Sequence, residues 1–101
     1  MIVSELKTSL TVSGGSATAI SHRNVGGLLK YVLIRANTST TSFYAALTDT
    51  DGTVRINYDV HTGEIVDNTS DLPLVGMYLV NITNASATDT FKVILGVWEK
   101  A

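Results

Sequence analysis

At 101 residues the chain holds one hydrophobic core and no more. Its net charge is −2, with Lys and Arg scattered, which excludes the basic footprint of a nucleic-acid binder. It contains no cysteine, which excludes disulfide frameworks, thiolate catalysis and cysteine-based zinc sites.

Residues 2–12 form the first expected strand, with Leu6, Leu10 and Val12 on one face and Glu5, Lys7, Ser9 and Thr11 on the other. Ser13-Gly14-Gly15-Ser16 is a turn, followed by a short run from Ala17 to Ser21 and a loop from His22 to Gly27. Leu28 to Ala36 is apolar on both faces, with Leu29, Tyr31 and Leu33 against Leu28, Val32 and Ile34. That pattern predicts a central strand. After a Thr/Ser loop, Phe43 to Asp49 is a strand leading into Thr50-Asp51-Gly52-Thr53, whose Asp-Gly step signals a hairpin. Val54, Ile56, Tyr58 and Val60 then alternate with Arg55, Asn57, Asp59 and His61, which predicts one dry and one wet face. Glu64 to Asp67 is a short strand. A loop through Asn68, Asp71 and Pro73 follows, with the sole proline outside any central strand. Met77 to Asn84 and Phe91 to Lys100 are expected to pair as a final hairpin across the turn at Ala85 to Thr90.

Short runs broken by turn residues about every ten positions predict an all-β fold. The expected architecture is one domain spanning residues 1–101, an antiparallel two-sheet sandwich. Eight strands make it jelly-roll-like; discounting the Ala17 to Ser21 run leaves seven, the Ig-like alternative. Residues 1–12 are long enough to act as an arm or swapped strand.

Catalytic constellations are not evident. The two histidines, His22 and His61, stand apart from any Gly-x-Ser-x-Gly elbow, and His61 falls on the wet face of its strand. Asp49-Thr50-Asp51-Gly52 begins like a calcium loop but lacks the further oxygen ligand and the bidentate Glu, and turn chemistry explains it. No enzyme activity, catalytic residue, metal or cofactor is expected. Two aromatic residues, Tyr44 and Trp98, would suit ligand stacking in a carbohydrate-binding sandwich if they shared an exposed face; core packing is the competing role.

Charged residues make up only 16% of the chain, against about 25% in typical soluble domains. Fourteen Thr, nine Ser and six Asn take their place. Such a surface is less costly to bury against another protein than a Lys/Glu surface, although β-rich composition alone also produces it. The opening Met1 to Lys7 has neither a basic region nor a continuous apolar stretch, so no secretory leader is expected. No apolar run is long enough for a membrane-spanning helix.

The stretch Leu28 to Leu47, LLKYVLIRANTSTTSFYAAL, and the later GMYLVNITNASATDTFKVILGVW resemble the small, cysteine-free, Thr/Asn/Ser-rich β-sandwich proteins of tailed-bacteriophage virions, particularly capsid decoration (cement) proteins. The likeness is one of style over about two-thirds of the chain and carries no functional residue by position. It implies a non-enzymatic protein of the virion, made in the bacterial host cytoplasm, that binds the major capsid protein or another virion protein. It also implies a homo-oligomer, a trimer foremost, with no nucleic-acid or membrane partner. A neck, tail or fibre component would fit the same texture. Within this reading Ile2, Val3 and Leu6 are the expected partner-binding residues.

Overall fold

The computed structural model describes residues 2–13, 15–20, 25–68 and 71–99, and every regular element among them is a β-strand. In chain order these are β1 (Ile2–Val12), β2 (Ala17–Ile20), β3 (Val25–Ala36), β4 (Ser42–Asp49) and β5 (Val54–Thr62). Then come β6 (Glu64–Asp67), β7 (Leu72–Gly76), β8 (Tyr78–Thr83) and β9 (Asp89–Glu99). One antiparallel sheet runs β1-β9-β3-β6, with β7 also on β3, and the other runs β2-β8-β4-β5. β6 pairs with residues 32–35 of β3 and β7 with residues 25–29, so the two share one edge position. Counted as one interrupted strand, they complete the eight positions of a jelly roll, the architecture expected from the spacing.

The interruption is built from sequence. Asp71 takes a left-handed backbone (φ 53°), which its short polar side chain tolerates, and Pro73 lies on the sheet edge, where its missing N–H leaves no central ladder broken. β7 itself falls where the sequence reads as loop, because a five-residue run containing proline carries little strand signal.

The expected final hairpin is corrected by the topology. β8 pairs with β2 and β4, whereas β9 pairs with β1 and β3 in the opposite sheet. The segment between them is a crossing between layers, beginning at Asn84 (φ 51°). It is pinned on the way: the Ala85 amide donates to the Gly15 carbonyl at 3.0 Å, and the Ser86 amide to the Ser42 carbonyl at 2.9 Å. Two strands separated by a short polar segment look the same in sequence whether the chain turns back or crosses over.

The core lies between the sheets. Val12, Leu29, Val32, Ile34, Phe91, Val93, Leu95 and Val97 come from one, and Phe43, Leu47, Val80 and Ile82 from the other. Phe43 and Phe91 meet across the gap edge to face, with centroids 4.8 Å apart. Tyr58 is buried with them, but its hydroxyl reaches the side of the sandwich and donates to Asp67 at 2.6 Å, tying β5 to β6 across the two sheets. Burial first, and then that bond, push the Tyr58 phenol far above its ordinary pKa. Tyr58→Phe leaves the Asp67 oxygen without this donor and is expected to cost about 1.5–3 kcal/mol, read as a lower urea midpoint at unchanged slope.

The clean alternation expected for Val54 to His61 is also corrected. Irregularities in the β4–β5 register, between Phe43 and Ala45 and between Leu47 and Thr48, each give β5 one residue more than its partner. Ile56 and Tyr58 remain on the core side, while Val54 and Val60 stand 55% and 53% exposed. A bulge changes the phase of alternation, and composition does not announce it.

A second close approach is set by glycine. A Cβ on Gly27 would lie 2.4 Å from the Trp98 carbonyl oxygen of the paired strand, so β3 and β9 draw together there only because position 27 lacks a side chain.

Candidate functional site

β9 buries alternate residues 91, 93, 95 and 97 and turns the intervening ones, 90 to 98, to the outer face of its sheet. β3 would mirror this, but it carries a bulge: Leu29 pairs with Val97 and Tyr31 with Gly96, leaving Lys30 as an extra residue. Strict alternation groups Leu29 with Tyr31 and Leu33. In the structure Leu29 is fully buried with Val32 and Ile34, whereas Leu28, Tyr31 and Leu33 belong to the outer face. The bulge therefore delivers a tyrosine to the surface that the pleat would have sent inward.

Three rungs cross this outer face. In the first, Ile94 of β9 stands between Lys7 of β1 and Leu33 of β3, and Leu33 is followed by Val66 of β6. In the second, Trp98 is opposite Leu28, which is opposite Pro73 of β7. Between them, Glu5, Gly96 and Tyr31 align. The Tyr31 ring lies across Gly96, where any Cβ would come within 2.2 Å of it, and its hydroxyl donates to the Glu5 carboxylate two strands away. That hydrogen bond, with burial and the carboxylate's charge adding to it, holds the Tyr31 phenol above its ordinary pKa. Leu28, Tyr31, Leu33, Ile94 and Trp98 are each half-buried by one another, while Val66 and Val75 are 63% and 81% exposed. The result is an aromatic and aliphatic surface on a sheet face that no other layer covers among the described residues.

Charges frame it. Lys30 is ion-paired with Asp71, and its ammonium sits 4.9 Å from the centre of the Trp98 ring. Arg35 meets Glu64 at 3.1 Å. That pair lines a depression of about 390 Å³ whose other groups are neutral, including Asn37, Ser39 and Thr62. No three His, Cys, Asp or Glu side chains among the described residues gather as metal ligands would. His61 is exposed and hydrogen-bonds through Nδ1 to the Asp59 carbonyl at 2.7 Å; His22 lies outside the described residues. Asp49 and Asp51 both accept the Thr53 amide, at 3.1 and 2.9 Å, which is hairpin-turn chemistry. Their mutual hydrogen bond raises Asp49 and holds Asp51 down to about 2.

The residues singled out from sequence separate. Tyr44 is 40% exposed but belongs to β4, on the outer face of the other sheet, so it and Trp98 lie on opposite sides of the sandwich. They do not form one stacking platform, and Lys30 already occupies a position over the Trp98 ring. Leu6 is half-buried against the core of its own chain. Ile2 and Val3 enter through backbone register alone, opposite Glu99 and Trp98. The structural grouping of Tyr31, Leu33, Ile94 and Val66 was not predicted. Its signal was the doubly apolar run from Leu28 to Ala36, which in a two-layer fold leaves one face without a covering layer.

One end of the sandwich is organised around Asp89. Its carboxylate accepts the Thr38 amide at 3.0 Å, the Thr41 hydroxyl at 2.8 Å and the Thr90 amide at 2.8 Å, fastening the loop after β3 to the start of β9. Burial works to raise its pKa, but these donors outweigh burial and leave it below the usual aspartate value. A depressed folded-state pKa stabilises above the unfolded value of about 3.9, and that contribution disappears as pH falls through the folded value. Asp89→Asn is therefore expected to be less stable at neutral pH, with the gap to the parent narrowing below about pH 4 in acid-unfolding curves followed by circular dichroism.

No known protein family matches the sequence, and no curated protein matches it. Among solved structures, chains from the infectious bursal disease virus Gt and Gx strains are similar over 95% and 93% of this chain. Identities are 13% and 15%, with TM-scores of 0.37 and 0.38. This chain spans only 32% and 28% of those chains. A likeness this loose carries no inference about function.

Proposed function

We propose that this chain is a non-enzymatic structural protein of a phage virion, attaching as an oligomer to the assembled capsid and stabilising it as a decoration protein. The observation that supports the reading is the outer face of the β1-β9-β3-β6 sheet, where Trp98, Leu28, Tyr31, Leu33, Ile94 and Val66 form an apolar surface that no other layer covers among the described residues. Large rigid aromatics at the centre of a patch, with charged groups at its rim, are the composition of protein interfaces. The charge-poor exterior supports the same reading, because few ionic groups must lose water on docking.

The mechanism is mass action. A protein that binds the assembled lattice and not its dissociated subunits stabilises the lattice in proportion to its occupancy. Each site can be individually weak if an oligomer engages several shell subunits at once, since the second contact forms at high effective concentration. The partner in this reading is the major capsid protein, and the rigid sandwich contributes shape without needing a reactive group.

The test is immunogold labelling of particles purified from the cells that make the chain. Gold over the heads is the expected result. Gold confined to tails would reassign the protein to another part of the virion, and unlabelled particles would remove it from the virion.

A further inference from the structure

A sheet edge is an open row of hydrogen-bonding groups, and proteins protect such edges with short strands, bulges or proline. Three of the four edges here carry one of these devices. β2 has only four residues, β5 contains two register irregularities, and the β6–β7 edge is split into two short strands and carries Pro73. The fourth edge, β1, has none of these three, and only the charged pair Glu5 and Lys7 guards it. It runs for eleven residues without proline, and its register with β9 is continuous from Ile2↔Glu99 to Val12↔Asp89.

The geometry points to β1 as the contact between two copies of this chain, paired antiparallel about a two-fold axis at Leu6. Antiparallel strands must match outward residues with outward ones, which restricts the axis to whole residue positions. An axis at Glu5 sets Glu5 against Glu5, and an axis at Lys7 sets Lys7 against Lys7. With the axis at Leu6, Glu5 of each copy faces Lys7 of the other, and Ser4 faces Thr8. Charge complementarity thus picks one register among the neighbouring ones.

The rest of the strand agrees with that choice. Leu6 and Leu10 are only half-buried in the single chain, although they pack on its core. The pairing lays Leu6 against Leu6, closing the inner layer from the side. Glu5 and Lys7 lie 3.6 Å apart within one chain and are 42% and 67% exposed at their side chains, so both charges stand at the edge, although Glu5 also accepts the Tyr31 hydroxyl. A two-fold axis normal to the sheet also leaves the outer faces of both copies on the same side, doubling the apolar surface. The symmetry is that of a dimer, in place of the trimer implied by resemblance. The pairing stands on the edge itself and holds whether or not the chain joins a virion.

The experiment is light-scattering mass across a concentration series, with circular dichroism to verify folding. The unmodified chain is expected to rise toward two chain masses. Lys7→Glu places like charges opposite each other twice and should weaken association about tenfold or more; Glu5→Lys should do the same. Mixing these two variants restores opposite charges at both positions, so a dimer is expected from two proteins that are each monomeric alone. A mass of one chain at every concentration, a mass of three, or a Lys7→Glu variant as dimeric as its parent would each overturn the inference, as would two folded variants that fail to associate when mixed. None of these outcomes depends on capsid attachment.

Discussion

Phe91→Ala is expected to remove about 3–5 kcal/mol of stability, the range for deleting a buried aromatic ring. Phe91 has no exposed surface and meets Phe43 edge to face at 4.8 Å, the first from one sheet and the second from the other. Truncation at this point loses ring burial, the aromatic pair and the fit between layers together. Collapse of the surroundings is limited because β9 is held on both sides, by β1 and by β3. Domains of this size have only about 5–15 kcal/mol in total. The thermal midpoint should fall by roughly 15 °C or more, measured by differential scanning calorimetry. Phe91→Leu, which keeps most of the volume, should fall much less. Equal losses for the two variants would mean that the inter-sheet contact is not the seat of the effect.

Leu33→Glu is the counterpart on the opposite side of the same sheet, with the effect moved from folding to attachment. Leu33 stands between Ile94 and Val66 in the middle of the outer face, half-buried by its neighbours. A carboxylate there remains hydrated in the free protein, so the thermal midpoint should shift by no more than a few degrees. Under the proposed docking role the same carboxylate would be desolvated without a partner. A penalty of about 2–5 kcal/mol corresponds to a loss of affinity on the order of 30-fold or more. Gel densitometry of sedimented shells reads this as lost occupancy. Undiminished occupancy with a stable Leu33→Glu variant would move the docking surface elsewhere.

The sheet plan was legible wherever a local pattern determines it. Turn residues every ten positions marked the strands, and Asp51-Gly52 marked the one hairpin whose two strands, β4 and β5, stay in the same sheet. Sheet membership was not legible. Ala85 to Thr90 reads as a turn, but the link from β8 to β9 is a crossing, because β9 pairs with β1 and β3, far away in sequence. Bulges were equally silent. The extra residue at Lys30 changes which side of the sheet Tyr31 occupies, and nothing in LLKYVLIRA reports it. The outer face is half legible, since its apolar residues point to a central strand. β3 is central, but centrality explains one apolar face; the second belongs to a sheet face that no other layer covers among the described residues.

The pairing of β1 with β9 has a consequence for how the molecule is made. β1 finds its neighbour only when β9 has been synthesised, and β3 likewise waits for β9. Local contacts cannot complete either layer, so folding should be slow for a domain of this size. Until β9 arrives, both sides of the nascent β1 are unsatisfied, and chaperone capture or a low synthesis temperature should raise the soluble yield.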